Sequence, residues 1–205
     1  MARLPLVPLE RLQSYGQVRD RVEDGDVFLF RGQFLISKLF EKVDFSYYSH
    51  AALSAWWGDR LMILQAEGPG IQAIPMSVAV ATYPGRVDWY KLKKDAFPEC
   101  GTKLAAVLVE AKSDLGLAYG FGDLLRNIWH WIAKIKLADP VYPRAMFCSE
   151  YVERCFRTGG MSLTGKPDIT TFPKDIAASQ HLEYMATIPH VTNDTDARDR
   201  DAVPK

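Results

Sequence analysis

The chain has 205 residues, 48% of them hydrophobic, enough to bury a sizeable core in one domain. Lys plus Arg equals Asp plus Glu, at 25 each, so no net charge draws the protein toward nucleic acid or an acidic surface. Three cysteines cannot all pair, and their spacing is not that of a disulfide framework, which makes a reducing compartment the simpler reading. The N-terminus is too short and proline-broken to read as a secretory segment, and no apolar run approaches the roughly 20 residues of a membrane span. A cytoplasmic protein with no transmembrane segment is expected.

In chain order, Leu9, Leu12, Val18 and Val22 predict a short helix over 9–22. Gly25-Asp26 is a turn, with Asp26 binding nearby amides through its carboxylate, and Val27–Phe30 is a strand. Apolar residues at 34, 35, 39, 40 and 43 predict a helix over 33–43. A mostly apolar strand then runs from Tyr48 to Trp57 and ends at Gly58-Asp59, a pair suited to a tight hairpin; Arg60–Glu67 is the return strand. Gly68-Pro69-Gly70 breaks it, and extended structure resumes over Ile71–Pro75 and Val87–Leu92. Helices follow over about 98–115, 122–136 and 146–158, with a short helix near 173–179 and a closing strand near 182–188. Strands crowd the first half and helices the second, which predicts an α+β fold with an antiparallel sheet rather than βαβ units. Residues 1–191 form a single domain in this reading, and the polar, aperiodic residues 192–205 a disordered tail.

The chemistry centres on the helix that begins near Cys148. Val152, Cys155 and Phe156 recur at helical spacing and face a core, while Glu150/Arg154 and Glu153/Arg157 suit an exposed face. Pro140 and Pro143 place the helix start near Cys148. Amides at a helix N-terminus favour thiolate over thiol, and the thiolate is the nucleophile. A thiolate mechanism needs a base. Of His50, His130, His181 and His190, only His50 opens an apolar strand, where its ring can project into a cleft. The base needs an orienting partner for its second nitrogen. The hairpin midpoint at 58–59 lies about eight residues from both His50 and Glu67, so antiparallel pairing brings them together at one end of the hairpin. Other chemistries fit less well. No Cys-x-x-Cys, His-Glu-x-x-His, phosphate loop, Gly-x-Ser-x-Gly elbow or nucleic-acid module is present. No metal and no cofactor is expected.

Four segments resemble, in order, those of YiiX/YebB-like proteins, the circularly permuted branch of the NlpC-type papain-like superfamily. They are Gly25–Phe30, Ser49–Leu53, Ala66–Ile71 and Phe147–Val152. Two further stretches, Leu117–Phe121 and Thr171–Ile176, resemble the family more weakly; Gly120 stands where an acidic residue is common. The resemblance spans about residues 24–180 and implies a permuted papain-like fold with His50 as base, Glu67 as third polar residue and Cys148 as nucleophile. Tyr48, Ser49 and Tyr119 are candidate substrate contacts. The expected reaction is thiol-dependent hydrolysis of an amide in a peptide or amino-acid conjugate. A lipid-like ester substrate, or a non-catalytic binding module on the same fold, are the alternatives. The aromatic segment 121–132 is a helix packed on the core or a substrate wall, and the oligomeric state stays open.

Overall fold

The computed structural model describes residues 11–31, 48–67, 70–117 and 148–190. The helices expected over 33–43 and 122–136, Tyr119, the aromatic segment and the tail lie outside these residues. The described chain is α+β. Strands β1 (Val27–Arg31), β2 (His50–Trp57), β3 (Arg60–Glu67), β4 (Gly70–Pro75), β5 (Arg86–Leu92) and β6 (Leu182–Ile188) form one antiparallel sheet in the order β4-β3-β2-β1-β5-β6. The hairpin between β2 and β3 turns at Gly58, whose φ of +64° suits a residue without a Cβ.

The sheet is buried on both faces, which is why β1, β2 and β3 read as nearly unbroken apolar runs. On one face Leu29, Leu53 and Leu64 meet Tyr151, Val152, Cys155 and Phe156 of the cysteine helix, and Val107 and Ala111 of the helix Cys100–Ser113. On the other, Phe28, Phe30, Ile63 and Trp89 meet Tyr15, Val18 and the helix Met76–Thr82. No helix among the described residues is long and apolar enough to cross a membrane.

One local expectation is corrected. Where a helix is predicted over 9–22, the described residues from 11 on form only a short turn, Tyr15–Val18 running into a 3-10 turn at Arg19–Arg21. Ser14 starts it, with the Gln17 side chain accepting from the Ser14 amide. Upstream, Gln13 and Arg11 exchange backbone bonds with Thr187, so these residues extend the sheet edge instead. The helix Met76–Thr82 forms although Val78 and Val80 are β-branched and lower helix propensity, which leaves it no clear sequence signal. Asp26, by contrast, does bind amides: its carboxylate accepts from Glu23 N, Leu92 N and the Trp89 indole, at 3.0, 3.1 and 2.8 Å. Burial nevertheless outweighs these donors and raises its pKa to about 6.

Candidate active site

The cysteine helix runs Cys148–Thr158, so Cys148 holds its first position, where backbone amides lack helical partners. Its buried face seats it against β2, β3 and the helix Cys100–Ser113. The helix has less free surface than its charge spacing predicted. Glu153 is fully buried, accepting from Ser162 Oγ at 2.6 Å and Leu163 N at 3.2 Å, because the loop after the helix folds back over it. Arg154 pairs with Asp114 across the helix–helix interface. At the other end, Ser149 Oγ donates to Thr171 O at 2.7 Å and ties the helix tip to the loop before the helix Pro173–Ala177.

The sheet supplies the other half of the site through a local splay. The β2–β3 ladder runs from Trp57–Arg60 only as far as Leu53–Leu64. Continued in register, it would pair His50 with Glu67, but the strands part before that point. Ser54 donates its amide to Asp26 O in β1's direction, so alternate residues of β2, Ala51 included, turn theirs toward β3. With no ladder partner there, the Ala51 N–H bonds the Cys148 sulfur instead. The sulfur therefore meets the sheet where β2 and β3 separate, beside the first residue of β2.

That first residue is His50. Its Nε2–H donates to Gln65 Oε1 at 2.8 Å, and Gln65 Nε2 donates onward to Glu67 Oε2, also at 2.8 Å. A carboxylate only accepts, so the amide nitrogen of Gln65 must face Glu67 and its oxygen must face the ring. This line of donors fixes the tautomer and leaves Nδ1 for Cys148, with which His50 also shares a hydrogen bond. Phe30 meets the ring edge-on, with centroids 5.1 Å apart.

The electrostatics follow from these contacts. Burial pushes the His50 pKa down, but the Cys148 charge, its hydrogen bond, the Glu67 charge and Gln65 together raise it to about 9. Burial pushes the Cys148 thiol up, yet the His50 charge and hydrogen bond, with the amides of Ala51 and Ser149, bring it below its ordinary value. Each group charges the other, as in an imidazolium–thiolate pair. Cys155 is the contrast: buried among aliphatic and aromatic side chains, its pKa is pushed up to about 12. Cys148 is partly exposed, whereas Cys100 and Cys155 are buried.

Cys148, His50 and Glu67 thus lie in one site, with one change from the sequence expectation. Glu67 does not touch the ring; Gln65 stands between them. Gln65 lies two residues from Glu67 on the same strand face and is only 2% exposed. A polar side chain inside the run Leu61–Ala66 was the available signal, since a buried amide requires partners. Tyr48 and Ser49 flank His50, but their hydroxyls bond to the scaffold. Tyr48 donates to Asp88 at 2.7 Å, and Ser49 to Phe30 O at 3.2 Å.

No protein-family model matches this sequence, and no curated protein matches it. Among solved structures, the chain is similar to the metalloprotein YiiX from Escherichia coli O157:H7. The TM-score is 0.59 at 16% identity, covering 80% of this chain and 96% of that one. The chain has a YiiX-like fold, and at this identity the likeness extends to fold alone. Because that neighbour is described as a metalloprotein, the donor set here matters. Cys148 and His50 Nδ1 are two donors, and His50 Nε2 is already taken by Gln65. Among the described residues no group of three or more His, Cys, Asp or Glu side chains could hold a metal ion. Protein zinc sites use three or four protein ligands, so the described residues do not fit a bound metal.

Proposed function

We propose that this protein is a thiol-dependent hydrolase that cleaves an amide bond in a peptide or amino-acid conjugate through an acyl-enzyme. The observation that carries this is the placement of Cys148 at a helix N-terminus beside His50, whose ring is held by Gln65 and Glu67; the directions of the two pKa shifts agree with it. In this reading the α+β fold is a circularly permuted papain-like arrangement, with the histidine strand preceding the cysteine helix. The Cys148 thiolate attacks the substrate carbonyl, forming the S–C bond and a tetrahedral oxyanion. The Cys148 N–H, free of any helical partner, donates to that oxygen. As the C–N bond breaks, the imidazolium of His50 gives its proton to the leaving amine. His50, now neutral, takes a proton from water, which attacks the thioester and releases the acid. Gln65 and Glu67 hold the ring throughout.

Intact-mass spectrometry tests this directly. Brief incubation with activated aminoacyl and fatty-acyl esters should add one acyl group, at Cys148, with aminoacyl donors reacting faster. Preference for the fatty-acyl donor would move the substrate to a lipid ester. No adduct with either class at neutral pH would remove the enzyme reading and leave a binding module.

A further inference from the structure

Residues 50–52 of β2 have β1 on one side and no β3 ladder on the other. The His50 backbone is tied to the sheet on the β1 side alone, through its pairing with Phe30, so the residues just before it bear on where it stands. The two side chains just before it reach different partners. Tyr48 reaches a buried polar knot. Its hydroxyl donates to Asp88 Oδ2 at 2.7 Å and accepts from Tyr90 at 2.9 Å. Asp88, fully buried on β5, also accepts from Arg31 Nη2 at 2.9 Å and Thr187 Oγ1 at 2.6 Å. Thr187 in turn accepts from Arg31 and Tyr184, at 3.1 and 2.7 Å. Ser49 is tied elsewhere. Its Oγ donates to Phe30 O and accepts from Tyr83 at 3.0 Å, and Phe30 packs edge-on against both Tyr83 and the His50 ring.

We infer that the Tyr48–Asp88 hydrogen bond, together with the Ser49 tie, is a positioning device that holds His50 within reach of Cys148 where the β2–β3 ladder is missing. The inference rests on the proposed Cys148–His50 chemistry. A carboxylate buried with a guanidinium is a poor source of net stability. Held by three donors on strands β1 and β6 and the segment before β2, it is a stiff anchor. Tyr48 and Asp88 are positioning residues that act through His50. Among the described residues, the titratable group beside the sulfur is His50 from β2, with Glu67 of β3 acting on that ring from beyond Gln65.

The test is the pH dependence of Cys148 alkylation by iodoacetamide, read by peptide mass spectrometry in the full chain. Tyr48→Phe keeps the ring and removes the donor. Its alkylation inflection should move up in pH, toward that of His50→Ala, with alkylation near neutral pH slowed about tenfold. Ser49→Ala should shift it the same way by less, and serves if Tyr48→Phe folds poorly. Asp26→Asn, which breaks a buried bond set at the far end of β1, is the matched control. It should lower Tm and leave the inflection in place. If Tyr48→Phe and Ser49→Ala lower Tm but leave the inflection where the wild type has it, the knot is merely structural and the inference is overturned. An ordinary thiol inflection in the wild type would instead overturn the Cys148–His50 reading, and this inference with it.

Discussion

Cys148→Ala and His50→Ala should each lower turnover of an acyl donor by roughly four orders of magnitude, and the double variant should be no slower than either alone. The magnitude follows from the behaviour of nucleophile–base pairs that act as one unit. His50 owes its raised pKa chiefly to Cys148, once burial is overcome, and Cys148 owes its lowered one to His50. Removing either leaves the other to burial, which favours its neutral form, with nothing further to lose. The residual rate comes from the helix N-terminus and from binding. Steady-state kinetics on the three variants provide the check. Losses that multiply in the double variant would mean that the two side chains act on separate steps.

The second large effect belongs to Gln65. Gln65→Leu should lower kcat about 100-fold with KM little changed, and Glu67→Gln about 10-fold, the range typical of groups that orient a reacting side chain. Leucine leaves the Nε2–H of His50 without its 2.8 Å acceptor and frees the ring to turn. Gln at position 67 can still accept from Gln65 but no longer carries the charge that helps raise the His50 pKa. The sign of the pH effect is fixed. A histidine whose folded pKa is raised to about 9 stays protonated beside the thiolate up to that pH, and both variants should move the alkaline limb of the kcat profile downward. His50 also stabilises the fold fully below its ordinary pKa of 6.5, and that contribution is lost as pH rises through about 9. Were Glu67→Gln as damaging as Gln65→Leu, the carboxylate would be meeting the ring directly in solution, as the hairpin count first implied.

That count shows how far the sequence reaches. Local patterns made Cys148, His50 and the hairpin legible: an apolar helical stripe after two prolines, a histidine opening an apolar strand, and a Gly-Asp turn. Counting from the turn put Glu67 opposite His50, and the observed register, Leu53 with Leu64, extrapolates to that pair. The count failed only at the rim, because pairing rules assume a ladder that here ends three residues early. Gln65 takes the contact as a diagonal neighbour on the same face. The Asp88 knot was out of reach for another reason. Arg31, Tyr48, Asp88 and Thr187 are far apart in sequence, and only the strand order β2-β1-β5-β6 brings them together. Likewise Glu153 read as an exposed charge because a loop that returns over a helix leaves no periodic trace.

The most direct test is the rate of Cys148 alkylation as a function of pH in the wild type and in His50→Ala. Cys100 also opens a helix, but it is buried, whereas Cys148 is partly exposed and hydrogen-bonded to His50. In the wild type, Cys148 should react at neutral pH well ahead of Cys100 and Cys155, with its inflection below that of an ordinary thiol, and His50→Ala should shift that inflection upward. Equal, slow labelling of all three cysteines, unmoved by the loss of His50, would contradict the account.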